Sequence, residues 1–73
     1  MRNRLIVGTD GTKCWYVNNR LHRTDGPAVE CADGSKSWYV NGKQYGTNKS
    51  FQQAANLTDE EMMMLVLKYG NIS

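Results

Sequence analysis

Residues 10–18, DGTKCWYVN, recur as DGSKSWYVN at residues 33–41, 23 positions further along the chain. Each copy begins with an Asp-Gly pair, which favours a tight turn, and continues through an aromatic and β-branched run typical of a strand. Each copy ends at an asparagine followed by Asn19 or Gly42, which is a second turn signal. Because self-similarity at a fixed period marks a repeated supersecondary unit, the sequence predicts two related hairpin units.

The hairpin signals extend over residues 5–46. Unit one covers residues 5–23 and unit two covers residues 28–46. Between them, Asp25-Gly26-Pro27 is expected to break the strand ladder, because proline donates no backbone hydrogen bond. The prediction is a small antiparallel β-meander of five or six short strands.

Beyond Gly46 the apolar residues follow a helical period. A first helix is expected to begin with Asn48 or Ser50 as its cap. In a second helix, Thr58 and Glu61 have the spacing of a capping box, and Gly70 is placed to end it. Its apolar face would comprise Met62, Leu65, Val66 and Tyr69. The fold prediction is therefore α+β: one domain over residues 1–73, with a C-terminal helical segment, residues 48–70, of one or two helices packed on the sheet.

The length of the Asp-Gly turns bears on the orientation of the two tryptophans. Two-residue turns at both Asp-Gly pairs would place Trp15 on the basic, exposed face of unit one and Trp38 on the apolar face of unit two. Two copies of one motif are expected to bury the same face, and a bulge that lengthens one Asp-Gly loop would reconcile them. We therefore expect both tryptophans to be largely buried.

Composition restricts the class of protein. A chain of 73 residues with a mean hydropathy of −0.64 fits one globular domain with a modest core. No apolar run is long enough for a membrane helix or a signal peptide, which predicts a cytoplasmic location. Cys14 and Cys31 are expected to be free thiols, and with His22 they are one ligand short of a tetrahedral zinc site. No cofactor is expected.

No catalytic constellation is recognisable in the sequence. Asp10, Asp25 and Asp33 each precede glycine, where a carboxylate stabilises a turn by local hydrogen bonding. His22 has no evident nucleophile or orienting partner, and the glycines are scattered as turn formers rather than arranged to bind phosphate. The expected activity is non-enzymatic binding.

Charge is distributed unevenly along the chain. Residues 1–23 carry five cationic side chains against Asp10 alone, a formal charge of +4, whereas residues 24–46 and 47–73 each carry −1. A basic segment favours acidic partner surfaces or phosphates. The interleaving of basic and aromatic residues leaves a single-stranded nucleic-acid-binding module open as an alternative, and a structural repeat protein is a third. In the run Met62–Met64, the side chains could fill the core or contact a partner.

Two resemblances add to this reading. Residues 5–46 are similar to short hairpin repeats of the MORN type, and residues 22–28, HRTDGPA, resemble phage repeats that end in His-Arg-x-Asp-Gly-Pro-Ala. In length and character the whole chain resembles the small transcription regulators of lytic Xanthomonas phages. This resemblance implies a monomer in the host bacterial cytoplasm that binds host RNA polymerase at the β′ amino-terminal region and the β flap. It further implies inhibition of initiation by sigma displacement, and antitermination, with no membrane and no direct requirement for nucleic acid.

The candidate partner-binding residues come from the chain itself, because no motif transfers them. They are basic residues with two apolar neighbours: Arg4, Val7, Tyr16, Arg20, His22, Arg23 and Lys43. The group around Arg20 lies next to the proline-containing connection, where a sheet edge is expected. Charge reversal at Arg20 or Arg23 is predicted to weaken partner binding without unfolding the domain.

Overall fold

The computed structural model describes residues 3–72 and confirms the α+β fold: an antiparallel six-stranded sheet followed by two helices. The strands are β1 (Asn3–Val7), β2 (Lys13–Val17), β3 (Arg20–Leu21), β4 (Val29–Glu30), β5 (Lys36–Val40) and β6 (Lys43–Tyr45). The helices are α1 (Asn48–Ala55) and α2 (Asp59–Tyr69).

The sheet has the order β1-β2-β4-β5-β6, and β3 also pairs with β2. Strand β3 pairs with the end of β2, and β4 pairs with its beginning. Between them, residues 22–28 leave the sheet and return to it, and we call this segment the 22–28 excursion. The amide of His22 donates to the carbonyl of Trp15 (3.0 Å), and the amide of Trp15 donates to the carbonyl of Ala28 (2.8 Å). The predicted break at Asp25-Gly26-Pro27 is confirmed.

The two asparagine turns have the predicted length. Val17 pairs with Arg20 and Val40 pairs with Lys43, so two residues connect the strands in each case. All four turn residues have positive φ: 51° and 64° at Asn18 and Asn19, and 52° and 84° at Asn41 and Gly42. Asparagine and glycine tolerate this conformation, which two-residue hairpins of the mirror-image type need at both positions.

The two Asp-Gly turns are longer than predicted, and in the same way. Strand pairing stops at Val7–Lys13 and at Glu30–Lys36, which leaves five-residue loops, 8–12 and 31–35. The Asp10 carboxylate accepts from the amide of Thr12 (3.0 Å), and the Asp33 carboxylate accepts from the amide of Ser35 (2.9 Å). A longer loop was expected at one Asp-Gly pair only, and it is present at both because each aspartate closes a wider loop through its side chain.

The longer loops shift the strand pairing by one residue in both units and therefore exchange the faces. Leu5 now lies opposite Trp15 rather than opposite Tyr16, and Val29 lies opposite Ser37 rather than Trp38. Lys13 of β2 lies opposite Glu30 of β4, and Glu30 lies opposite Lys36 of β5, so both tryptophans share one face of the sheet. Trp38 is 4% exposed, as predicted, whereas Trp15 is only half-buried, so the expectation of two largely buried tryptophans holds for one of them.

The helices begin and end at identifiable caps. Thr47 caps α1, because its side chain accepts from the amide of Ser50, so the prediction of Asn48 or Ser50 as the cap was wrong. Asn56 ends α1 in the left-handed conformation. In α2 the capping box of Thr58 and Glu61 is present as predicted, and Gly70 follows the last turn with a φ of 89°.

The core lies between the tryptophan-bearing face of unit two and the helices. It is built on four buried side chains: Trp38, Val40, Phe51 and Met62. The ring of Trp38 packs edge-on against the ring of Phe51 (centroids 4.7 Å apart) and that of Tyr69 (5.8 Å). The predicted apolar face of α2 is confirmed, because Leu65, Val66 and Tyr69 pack against this cluster with Met62.

The two aspartate loops are expected to loosen in acid. The backbone hydrogen bond from Thr12 lowers the pKa of Asp10 below its ordinary value of 3.8, and that from Ser35 does the same for Asp33. A carboxyl whose pKa falls on folding stabilises the fold above its ordinary pKa, and that stabilisation is lost as the pH falls through the lowered value. Carboxyl chemical shifts followed by NMR should show midpoints below 3.8. A midpoint at or above 3.8 in the folded protein would contradict this account, and Asp33→Asn should remove its share of the pH dependence.

Candidate partner-binding surface

Strand β1 forms one edge of the sheet and is apolar on both of its faces. Leu5, Ile6 and Val7 are each about half exposed, between 47% and 56%. In the part of the chain that the structure describes, β1 pairs only with β2, so one side of its backbone has no strand partner. An exposed apolar edge of this kind can accept an added strand from another chain.

An open pocket of about 490 Å³ lies beside β1, between the first hairpin and the 22–28 excursion. Its apolar walls include Leu5, Trp15 and Val17, and its polar walls come from the excursion. The remaining lining residues are Tyr16, His22, Arg23, Thr24 and Asp25. The pocket can therefore receive an apolar side chain and offers charged groups of both signs beside it.

Arg23 is the most highly connected side chain of this region. Its guanidinium donates to Asp25 (2.9 Å), to Glu30 (3.0 Å) and to the carbonyl of Pro27 (3.1 Å), and Nη2 lies 3.2 Å from the hydroxyl of Tyr69. The guanidinium carbon lies 3.9 Å from the centre of the Trp15 ring. With its side chain only 15% exposed, Arg23 joins the excursion, the sheet and the end of α2.

The charge of Arg23 is secured by these neighbours. Partial burial acts to lower its pKa, but the hydrogen bond and charge of Asp25, together with Tyr69 and the hydrogen bond of Glu30, outweigh it and the pKa is raised. Gly26 provides the space, since a Cβ there would lie 2.8 Å from the guanidinium carbon. Arg23 is thus a structural cation, and its predicted charge reversal without unfolding does not fit these contacts.

His22 is fixed by a backbone contact. Its Nδ1 accepts from the amide of Asn41 (2.9 Å), so the ring carries its proton on Nε2 when it is neutral. Next to it, the amide of Arg23 donates to the carbonyl of Tyr39 (3.1 Å) and that of Gly42 donates to the carbonyl of Leu21 (2.7 Å). These bonds hold the start of the excursion against unit two, which positions one wall of the pocket.

The structure divides the other predicted residues between the two faces of the sheet. Arg4 lies opposite Tyr16 on the face away from the core, and Arg4 is exposed. Val7, Arg20 and Lys43 lie on the tryptophan-bearing face, and all three are exposed. The predicted set therefore does not form one patch, although His22 and Arg23 meet at the pocket with Tyr16.

Sequence reasoning predicted Val7 but missed the other apolar residues of this surface. The sequence predicts Leu5 and Ile6 only as part of a strand, Asp25 only as a turn residue, and Thr24 only as part of the repeat motif. The sequence did carry a signal that Leu5 and Ile6 belong to an exposed surface. Three consecutive apolar residues, Leu5-Ile6-Val7, occupy both faces of any strand, so at least one of them lies on the face away from the core. No local signal predicted the pocket, which depends on the excursion.

The described residues contain neither a metal site nor a membrane-spanning helix. Across residues 3–72, no group of three or more His, Cys, Asp or Glu side chains could hold a metal ion. Over the same range no helix has the length and apolar character to cross a membrane. Comparisons with models of known protein families, with curated proteins and with solved structures find no match to this chain.

Proposed function

We propose that this protein is a non-enzymatic binder of host bacterial RNA polymerase that acts in the host cytoplasm. The observation that carries the binding proposal is the exposed apolar edge of β1 beside an open pocket and surface cations. The choice of polymerase as the partner rests on the resemblance to small phage transcription regulators. That resemblance also supplies the proposed outcome, sigma displacement at initiation and antitermination during elongation.

The proposed mode of binding is addition of an extended polymerase segment to β1. Main-chain hydrogen bonds to the open edge would supply affinity, and a side chain directed into the pocket would supply specificity. Leu5 contributes to both features, since it belongs to β1 and also lines the pocket. Arg4 in the same strand favours acidic residues in the partner segment, and Arg20, across β2 on the other face of the sheet, is the second candidate cation.

A second candidate function is supported by one observation. The face of the sheet away from the core carries Arg4 with Tyr16 and Tyr39, and both tyrosines are partly exposed. Aromatic rings beside a cation can stack with single-stranded bases. The tryptophans do not add to this surface, because Trp38 is buried and Arg23 covers Trp15.

Both candidates can be tested in one experiment, a pull-down from host lysate with and without nuclease. Retention of the β and β′ subunits after nuclease treatment is the result expected for direct polymerase binding. Loss of polymerase on nuclease treatment, together with direct binding of an oligonucleotide, would instead support the nucleic-acid-binding function.

Charge reversal should locate the surface. The double variant Arg4→Glu, Arg20→Glu is expected to weaken polymerase binding by about ten- to a hundred-fold, or about 1–3 kcal/mol, the scale of lost interfacial charge pairs. The matched control is Lys36→Glu, Lys49→Glu, which makes the same change of charge at exposed positions elsewhere. Equal affinities of the two folded double variants, measured by titration calorimetry, would move the interface away from β1 and β3.

A further inference from the structure

The outward face of α2 is apolar and plays no part in the core. Its inward residues pack on the sheet, whereas Met63, Met64 and Leu67 are between 60% and 80% exposed. These three residues follow helical spacing and form one stripe. Glu60 precedes the stripe and Lys68 follows it, and both are exposed. We call these five residues the outer face of α2.

The charges at the two ends of this face are opposite in sign. The other acids of the first turn are engaged within the fold: Asp59 accepts from the side chain of Gln52 (2.7 Å), and Glu61 accepts from the amide of Thr58 (2.9 Å). Among residues 3–72, the observed hydrogen bonds and ion pairs leave Glu60 unengaged, so its carboxylate is available to an outside cation. At the other end, Lys68 contacts the ring of Tyr69, with its ammonium 5.4 Å from the ring centre.

We propose that the outer face of α2 binds a second copy of this chain, with the two helices antiparallel about a two-fold axis beside Met64. Glu60 and Lys68 lie four residues before and after Met64, so this arrangement places each Glu60 against Lys68 of the second copy. The methionines meet at the centre, where their flexible thioethers adapt to a self-complementary contact. The parallel arrangement would bring like charges together.

The small size of the face determines the strength of the association. An 11-residue helix is about 16 Å long, so each copy contributes far less than the roughly 800 Å² of a standard interface. Self-association should therefore be weak, with a Kd of about 0.1–1 mM. The protein is monomeric well below that concentration, and the inference is independent of the proposed polymerase binding, which uses the opposite end of the chain.

The test is sedimentation equilibrium of the intact protein at low salt, from about ten-fold below to ten-fold above the expected Kd. The wild-type mass should rise toward that of a dimer. Glu60→Lys and Lys68→Glu should each weaken association by about three- to ten-fold, because each variant replaces two attractive pairs by two repulsive ones. The combined variant Glu60→Lys, Lys68→Glu should recover the wild-type Kd to within about two-fold, because the pairs are re-formed with exchanged signs.

Two further variants complete the design. Met64→Lys is expected to abolish association without unfolding the domain, because Met64 is exposed, and Lys49→Glu on α1 should have no effect. Thermal melts of each variant test whether a loss of association is caused by unfolding. The exchanged charges of the combined variant oppose the helix dipole, so recovery of its dimer cannot come from a more stable helix. A wild-type protein that stays monomeric over the whole range would overturn the proposal. So would failure of the combined variant to recover.

Discussion

Replacing Phe51 with alanine is expected to unfold a large fraction of the protein at room temperature. Phe51 is fully buried, and its ring packs edge-on against Trp38 at the centre of the core. Removal of a buried phenylalanine ring costs about 3–5 kcal/mol, because apolar transfer energy is lost and a cavity remains. A domain of this size has only about 3–5 kcal/mol of net stability, so the loss is comparable with the total.

Urea denaturation followed by tryptophan fluorescence would measure this effect. The matched control is Leu67→Ala, which removes an apolar side chain from the exposed side of α2 and should change the free energy of unfolding by less than about 0.5 kcal/mol. If Phe51→Ala and Leu67→Ala unfold at similar urea concentrations, the core described here is not the one that stabilises the protein.

Replacing Arg23 with methionine should destabilise the protein by about 2–4 kcal/mol. The variant keeps an apolar chain over Trp15 but removes the donors to Glu30, to the carbonyl of Pro27 and to the hydroxyl of Tyr69. Breaking a fully buried ion pair costs about 3–5 kcal/mol, and the expected value is smaller because Asp25 and part of Glu30 are in contact with water.

Two variants separate this network from a simple effect of charge. Arg20→Met removes the same charge from an exposed position and should change stability by no more than about 0.5 kcal/mol. Arg23→Lys keeps the charge but lacks the planar group that reaches several acceptors while covering an aromatic ring, so it should lie between Arg23→Met and the wild type. Equal stability of Arg23→Met and Arg20→Met in thermal melts would refute a structural role for Arg23.

The elements of the fold that could be predicted are those specified by neighbouring residues. The asparagine turns, the capping box at Thr58 and Glu61, and the inward face of α2 each depend on residues within about eight positions of one another. A longer loop was expected at one Asp-Gly pair and is present at both, because the dipeptide fits a five-residue loop closed by its own carboxylate as well as a two-residue turn. In unit one, the loop length decided which residues of β1 share a face with Trp15.

The candidate site was less predictable, because it depends on contacts between distant residues. Arg23 was chosen for its charge, yet the Tyr69 hydroxyl that helps to fix it lies 46 positions away. The half-buried state of Trp15 likewise follows from the position of the helices, which cover Trp38 in the second unit. No pattern within either repeat distinguishes these two equivalent tryptophans.

The contacts of Arg23 also have a thermodynamic consequence for the two ends of the molecule. The same guanidinium covers Trp15 in the pocket wall and lies within hydrogen-bonding distance of Tyr69, the last residue of α2. A ligand whose binding requires this arrangement of Arg23 must also stabilise the end of α2, and linkage makes the effect reciprocal. Occupation of the pocket should therefore slow amide hydrogen exchange in the last turn of α2. Fraying of that turn should in return weaken binding at the pocket by the same free energy.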